Sequence, residues 1–233
     1  VKAPRGDLSA AQLRAFGKEG EEQMEVSGYS PYVAQVKFVV PGNSRGRIGL
    51  EYYPDGDLIE MLTESDWSPS QTEIQLAVAQ LGKGILDLHR HQYSHHDLKP
   101  ANVLLKRDGG ALRFYIADFG LAEHGTDYMK RVNCGTKRYV PPIKRGRNGG
   151  FAPEHDWFSY GVILFNMASH PPTYPFKDNY IYSLSSSTLG REFVQLECDG
   201  RKLSIDFCTG LMRFLMDVWY KQLTHSENFQ RRG

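Results

Sequence analysis

The chain contains 233 residues, with 28 Lys and Arg against 27 Asp and Glu, so its formal net charge at pH 7 is +1. Hydrophobic residues make up 40% and charged residues 24% of the chain, a composition that excludes an intrinsically disordered protein. The balanced charge argues against a partner that is a nucleic acid. No apolar run in the sequence reaches the length of about eighteen residues that a membrane span requires.

The first fifty residues predict one helix followed by a β-hairpin. Ser9 is a suitable N-cap, and the polar, Glu-rich stretch after it predicts a helix to about residue 26. Gly17 and Gly20 each weaken that helix by about 1 kcal/mol relative to Ala, which predicts a bent or frayed part. Residues 33–40 and 47–53 have the composition of strands, and turn-forming residues between them complete a hairpin.

The rest of the chain predicts mainly helices and loops. Residues 71–89 predict a long helix, because apolar residues recur along one helical face. A second, short hairpin is predicted for 103–105 and 114–117, and a long loop for 120–150, a kind of segment that is usually functional. Further helices are predicted at 156–168 and 205–220.

The three cysteines fit neither a zinc site nor a disulfide-rich scaffold, because their number and spacing suit neither. Cys198 and Cys208 could close one short disulfide loop, with Cys134 left free. Three reduced thiols in an intracellular protein fit the sequence as well, so the redox compartment stays open.

Two polar clusters follow the apolar elements. Residues 95–102 read His-His-Asp-Leu-Lys-Pro-Ala-Asn, and a second cluster, Asp-Phe-Gly, starts at Asp118. These are the residue types that phosphoryl transfer needs. Asp97 can orient an acceptor hydroxyl, and Lys99 can neutralise the moving phosphate. Asn102 and Asp118 can hold Mg²⁺ through oxygen atoms.

These clusters, in this order and at this separation, resemble the catalytic loop and the magnesium-binding loop of the eukaryotic protein kinase family. The resemblance implies an α+β, two-lobed fold, with a small antiparallel-sheet N-lobe over residues 1–53 and a larger, mainly helical C-lobe over residues 54–233. It also implies ATP and Mg²⁺ as cofactors, and a protein as substrate or binding partner. Lys99 and Thr136 match the serine/threonine form of the family.

The resemblance extends to a nucleotide site. Residues 48–58 resemble the family's hinge, where backbone groups of Glu51 and Tyr53 would bind adenine. Asp57 corresponds to the carboxylate that binds the ribose hydroxyls, and Leu104 would form part of the adenine floor.

Lys2 resembles the lysine at the end of the third strand that pairs with the nucleotide phosphates. The helix after it would supply a glutamate partner, for which Glu21 fits best, with Glu19 and Glu22 as alternatives. No glycine-rich phosphate loop precedes Lys2 in the sequence. Either the first strands belong to a longer chain, or this kinase lacks the loop.

Two further departures from the family concern regulation and stability. His96 stands where the family has the Arg that binds a phosphorylated activation loop, which implies activity without that switch. Ile143 replaces the Glu of the family's Ala-Pro-Glu motif, which removes a buried ion pair. His95 matches the family's structural histidine.

Two hypotheses about function follow. The first is an active serine/threonine protein kinase, supported by the complete set of catalytic and metal-binding residues. The second is a pseudokinase that acts as a binding or scaffolding module, supported by the departures. A kinase without the glycine-rich loop resembles one branch of the apicomplexan rhoptry kinases. That resemblance implies secretion into a parasite vacuole or host compartment and a Cys198–Cys208 bridge, whereas without it we expect a cytoplasmic protein.

Overall fold

A computed structural model of the chain describes residues 1–3, 9–40, 46–64, 66–125, 135–140 and 153–169, together with residues 204, 206–211, 213–215, 217 and 219. Within these residues the helices are α1 (Ala10–Tyr29), α2 (Leu58–Glu64), α3 (Gln71–Arg90) and α4 (Pro153–Ala168). The strands are β1 (Val36–Val40), β2 (Arg47–Leu50), β3 (Tyr93–Ser94), β4 (Val103–Asp108), β5 (Ala111–Ile116) and β6 (Glu123–His124). They pair as β1 with β2, β3 with β6 and β4 with β5, all antiparallel. The fold is α+β and kinase-like, as the sequence predicts.

Helix α1 begins at the predicted N-cap. The Ser9 hydroxyl accepts the Gln12 N–H at 3.3 Å, and Gln12 Oε1 accepts the Ser9 N–H at 2.9 Å. The expected fraying at the glycines does not occur, because α1 is continuous through both of them. A Cβ atom at Gly20 would lie 2.9 Å from Ile48 Cγ1, so glycine allows α1 to pack closely on the β1–β2 hairpin. This packing outweighs the low helix propensity of the glycines.

The first residues of the chain lie beside β2. The Lys2 N–H donates to the Ile48 C=O at 2.8 Å, and the Ile48 N–H donates to the Lys2 C=O at 2.9 Å. This antiparallel pairing fixes the backbone of Lys2 on the N-terminal sheet.

The main core lies between α3, α4 and the β4–β5 hairpin. Helix α3 buries the apolar face that the sequence predicts, and Ile74, Leu81, Ile85 and Leu88 are at most 2% exposed. Each such side chain contributes about 2 kcal/mol of hydrophobic stabilisation. The described residues between 206 and 219 are helical, and Trp219 packs against α4 as a fully buried side chain. None of the helices in the described part of the chain is both long and apolar enough to cross a membrane.

Three short elements are missing from the sequence prediction. Helix α2 has seven residues, and β3 and β6 have two each, which is too short for a hydrophobic period to show. Strand β6 lies inside the segment 120–150 that was predicted as a loop, and it pairs with β3 directly before the catalytic loop. Beyond residue 125 that segment is described only at residues 135–140, so Cys134 and Ile143 lie outside the described residues, as does Cys198.

Candidate active site

Asp156 fixes the catalytic loop, residues 95–102, to helix α4. Its fully buried carboxylate accepts the His95 and His96 N–H groups at 2.9 Å each, and His89 Nε2 lies 2.9 Å from Oδ2. Burial raises the pKa of Asp156, but the hydrogen bond from His89 and the nearby histidine charges more than reverse this, so the pKa lies well below its usual value. His96 has a φ angle of 64°, a strained conformation that the bonds to Asp156 help to hold.

Hydrogen bonds hold both carboxylate oxygens of Asp97. Oδ1 accepts the backbone N–H and the hydroxyl of Thr136, each at 2.9 Å. Oδ2 accepts Lys99 Nζ at 2.6 Å and Asn102 Nδ2 at 3.3 Å. Lys99 Nζ also donates to the Thr136 hydroxyl at 3.0 Å, so Asp97, Lys99 and Thr136 form a closed ring of bonds. The three residues predicted as catalytic, Asp97, Lys99 and Asn102, therefore lie together.

Gly135 makes the approach of Thr136 to Asp97 possible. Its φ angle of 99° lies in the region that favours glycine. A Cβ atom there would lie 2.7 Å from the His96 C=O and 2.8 Å from Val140 Cγ2. A larger residue would push the segment 135–140 away from the catalytic loop.

His95 has a structural position, in agreement with the sequence analysis. The side chain is fully buried, and its Nε2 lies 3.0 Å from the Ala117 C=O. Its Nδ1 accepts the Asp97 N–H at 3.3 Å. The Nε2 atom therefore connects the catalytic loop to the residue after β5, and Nδ1 supports the backbone within the loop.

Asn102 and Asp118 offer oxygen atoms that suit a magnesium ion. Asn102 donates its side-chain N–H groups to Asp97, which leaves its Oδ1 without a partner among the described residues. Asp118 Oδ1 accepts Lys2 Nζ at 2.9 Å, whereas Oδ2 has no hydrogen bond to a described residue. Mg²⁺ typically takes one or two carboxylates and completes its shell with phosphate and water oxygens. No cluster of three or more His, Cys, Asp or Glu side chains that could hold a metal occurs in the described part of the chain.

Lys2 joins the N-terminal sheet to α1 and to the Asp-Phe-Gly turn. Its Nζ lies 2.6 Å from Glu19 Oε1 and 2.9 Å from Asp118 Oδ1. Burial lowers the pKa of Lys2, but the bonds and charges of the two acidic groups outweigh burial and raise it above its usual value. Burial raises the pKa of Asp118, but the charge and bond of Lys2 outweigh burial, so its pKa is lowered. Lys2 therefore stays protonated and Asp118 ionised.

The predicted partner of Lys2 was Glu21, and the structure corrects this to Glu19, one of the two alternatives. Successive helix residues are rotated by about 100°, so Glu21 points roughly 200° away from Glu19. Glu21 is exposed on α1. Glu22, the other alternative, pairs with Lys18 at 3.3 Å. Spacing in the sequence did not show which of the three glutamates faces Lys2. That depends on how α1 is rotated against the β1–β2 hairpin, and tertiary packing sets this rotation.

The hinge leaves the predicted backbone groups available. The Glu51 N–H donates to the Gln35 C=O at 2.8 Å, whereas neither the Glu51 C=O nor the Tyr53 N–H bonds to a described residue. The Glu51 side chain is held by Lys106 Nζ at 2.6 Å and Lys37 Nζ at 3.3 Å. One acceptor and one donor therefore remain along the hinge, the pair that an adenine edge would need.

Leu104 lies beside the hinge, because its backbone pairs with that of Asp57 near the end of the hinge segment. Leu104 packs with Tyr53 and Ala117 in a small apolar cluster that is separate from the main core. Asp57 Oδ1 accepts the Glu60 N–H at 2.9 Å, the bond of an N-cap residue at the start of α2. Its Oδ2 has no partner among the described residues, so Asp57 can cap α2 and still bind a ligand hydroxyl.

The sequence analysis did not identify the contact of His89 with Asp156 or the contact of Thr136 with Asp97. His89 lies in the last turn of α3, and only its position on the buried face of that helix could have indicated a contact with Asp156. Thr136 was taken only as a marker of the serine/threonine form, although its hydroxyl contacts Asp97 directly. Contacts between segments this distant leave no periodic signal in the chain.

Comparison with known proteins agrees with this geometry. The family model described as the protein kinase domain matches residues 11–201 of this chain. Citron rho-interacting kinase of Rattus norvegicus is 27% identical over 167 residues, which cover 69% of this chain and 8% of the relative. Ribosomal protein S6 kinase alpha-1 of Homo sapiens is 29% identical over 150 residues, which cover 64% of this chain and 20% of the relative. Serine/threonine-protein kinase MRCK alpha of Mus musculus is 28% identical over 169 residues, which cover 69% of this chain and 9% of the relative.

The chain thus spans a fifth or less of the length of these relatives. The family match nevertheless extends over well more than half of the chain, and it includes the whole catalytic loop and the Asp-Phe-Gly turn. This chain belongs to the protein kinase domain family.

Proposed function

We propose that this chain is a serine/threonine protein kinase that transfers the γ-phosphate of ATP to protein hydroxyl groups. The observation that carries the proposal is the ring of bonds around Asp97. A carboxylate held at both oxygens by Thr136 and Lys99 is oriented before any substrate arrives. Orientation of this kind is the main contribution that a protein makes to phosphoryl transfer.

Each residue of the site then has a defined task. Asp97 accepts the proton of the acceptor hydroxyl as the hydroxyl oxygen bonds to the γ-phosphorus and the bond to ADP breaks. Lys99 offsets the charge of the transferred phosphate, and Lys2, protonated between its two acidic partners, holds the other phosphates. Asn102 and Asp118 would bind Mg²⁺, which supplies charge neutralisation between the phosphates. The Glu51 C=O and the Tyr53 N–H would bind the adenine edge.

A pseudokinase is the second candidate function. The direct bond of 2.9 Å between Lys2 Nζ and Asp118 Oδ1 favours it, because that bond leaves only the other carboxylate oxygen of Asp118 for a metal. His96 in place of the family's Arg also fits a protein without the usual activation. In that case the fold would act through a surface, with weak nucleotide binding or none.

Transfer of labelled γ-phosphate separates the two candidates. The protein is incubated with labelled ATP and Mg²⁺, with and without a generic protein substrate, beside Asp97→Asn as the matched variant. We expect label on the substrate or on the chain itself with the parent protein and at least a hundredfold less with the variant. Equal background signal from both folded proteins would support the pseudokinase.

We also propose that the protein works in an oxidising compartment, which fits the secretion that the resemblance to the rhoptry kinases implies. The support is that Cys208 is disulfide-bonded. Alkylation of the native protein without reductant, followed by mass measurement, should leave Cys208 unmodified. Modification of every cysteine would contradict this location.

A further inference from the structure

The hinge connects the β1–β2 hairpin to the β4–β5 hairpin through a short segment. At one end, the Glu51 N–H donates to the Gln35 C=O at 2.8 Å, which attaches the hinge beside β1. At the other end, the Arg107 N–H donates to Asp55 Oδ2 at 2.8 Å, which attaches the hinge to β4. The chain between these attachments, residues 52–54, is therefore where one hairpin can rotate against the other.

The side chain of Glu51 spans this segment with an ion pair. Its Oε1 accepts Lys106 Nζ of β4 at 2.6 Å, and its Oε2 lies 3.3 Å from Lys37 Nζ of β1. The hydrogen bond from Lys106 is the main reason that the pKa of Glu51 lies below its usual value, so the carboxylate is ionised at neutral pH. The contact between Glu51 and Lys106, here called the hinge ion pair, therefore joins the two sides of the hinge directly.

The hinge ion pair can restrain the rotation and still be broken and formed again. Lys37 contacts the second oxygen of Glu51, which orients the carboxylate from the β1 side. Within the described part of the chain, no other ion pair connects β1 or the end of β2 with the β4–β5 hairpin. The side chains of Glu51 and Lys106 are 31% and 36% exposed, and ion pairs with this exposure are individually weak and are screened by salt.

We propose that the hinge ion pair slows the opening of the cleft beside the hinge and thereby limits how fast ADP leaves and ATP enters. This inference rests on the proposed function, which places the nucleotide in that cleft. The pair is formed without a ligand and uses the Glu51 side chain, whereas adenine would use the Glu51 C=O and the Tyr53 N–H. Because the same contact is made before and after binding, its loss should raise the rates of entry and release by the same factor and leave the affinity nearly unchanged.

The rates of ADP binding and release test the proposal without requiring catalysis. A fluorescent ADP analogue is followed by stopped flow with the parent protein and with variants of Lys106. We expect Lys106→Gln to bind and release the analogue about threefold faster than the parent, as the loss of one partly exposed ion pair allows. Lys106→Arg keeps the pair and should match the parent, whereas Lys106→Glu places a second carboxylate against Glu51 and should be faster still. The difference between the parent and Lys106→Gln should disappear in high salt.

A control variant makes the same chemical change in an ion pair that does not cross the hinge. Lys18 pairs with Glu22 at 3.3 Å within helix α1, so Lys18→Gln should keep the ADP rates of the parent. Equal rates in the parent and Lys106→Gln, or the same acceleration in Lys18→Gln, would overturn the proposal.

Hydrogen exchange gives a second measurement that needs no nucleotide and separates this proposal from the proposed function. The Gln35 N–H donates to the Tyr53 hydroxyl at 2.9 Å, a bond between the chain before β1 and the hinge. We expect this N–H to exchange about threefold faster in Lys106→Gln than in the parent or in Lys106→Arg. Faster exchange in the variant, from a parent that binds no ADP, would support the hinge ion pair and contradict the proposed function. Phosphate transfer with no difference in exchange or in ADP release would support the kinase and contradict the role of the pair.

Discussion

The acceptor side and the nucleotide side of this site are built in different ways. On the acceptor side, Asp97 is 13% exposed, and all of its described partners belong to the catalytic loop or to the segment that starts at Gly135. On the nucleotide side, Asp118 is 46% exposed, and it depends on Lys2, which lies 116 residues earlier in the chain.

The difference indicates which half of the site is preorganised. Asp97 keeps its orientation through several short bonds that do not need a ligand. Asp118 is held largely by one lysine, and that lysine must exchange contacts when phosphates and a metal arrive. We therefore expect changes on the acceptor side to lower the rate of transfer, and changes on the nucleotide side to weaken nucleotide binding.

Substitution of Asp156, which fixes the catalytic loop on the acceptor side, should have the largest effect on stability. Asp156→Ala leaves the His95 and His96 N–H groups without their buried acceptor, and we expect the free energy of unfolding to fall by about 3 to 5 kcal/mol. Urea unfolding measures this. Asp66→Ala, at an exposed position outside the helices, is the control and should change stability by no more than about 0.5 kcal/mol. A similar small change for Asp156→Ala would mean that the loop has another anchor.

Removal of the Thr136 hydroxyl should slow transfer without unfolding the protein. Thr136→Val loses one charge-assisted bond to Asp97, worth about 2 kcal/mol, so we expect the rate to fall about thirtyfold. Thr136→Ser keeps the hydroxyl and should stay close to the parent. If both variants transfer phosphate equally well, Asp97 does not need that bond.

On the nucleotide side, two glutamates of α1 allow a matched comparison, because one faces Lys2 and the other is exposed. Glu19→Gln removes the charge that faces Lys2 and should weaken binding of ATP with Mg²⁺ about fivefold, by roughly 1 kcal/mol. Glu21→Gln makes the same chemical change at an exposed position two residues away, and its affinity should match that of the parent. Titration calorimetry measures both affinities. An equal loss in the two variants would contradict the assignment of Glu19.

The smallest expected effect is on the pH dependence of protein stability, to which Asp118 contributes. Because the pKa of Asp118 is lower in the folded protein than its usual value, its contribution to stability is present above about pH 4 and is lost as the pH falls. Urea midpoints between pH 5 and pH 3 should therefore fall less steeply in Asp118→Asn than in the parent. An identical slope in both proteins would show that Lys2 does not stabilise the ionised form.

The two sides also differ in how well the sequence predicts them. Asp97, Lys99 and Asn102 lie within six residues of one another, so their local spacing was sufficient to place them together. Helices α1 and α3 were predicted because an N-cap and a long apolar period are local signals. The partner of Lys2 was predicted as Glu21 instead of Glu19, because that choice depends on how α1 rotates against the β1–β2 hairpin. The bond of Thr136 to Asp97 joins segments 39 residues apart and has no local signal.

The most direct test of this division is a steady-state measurement of phosphate transfer for the parent, Asp97→Asn and Glu19→Gln over a range of ATP concentrations. The account predicts that Asp97→Asn loses nearly all of kcat with little change in KM for ATP. It predicts that Glu19→Gln raises KM for ATP and retains most of kcat. Loss of kcat alone in both variants would contradict the separation of the two sides, and no transfer by the folded parent would contradict the kinase itself.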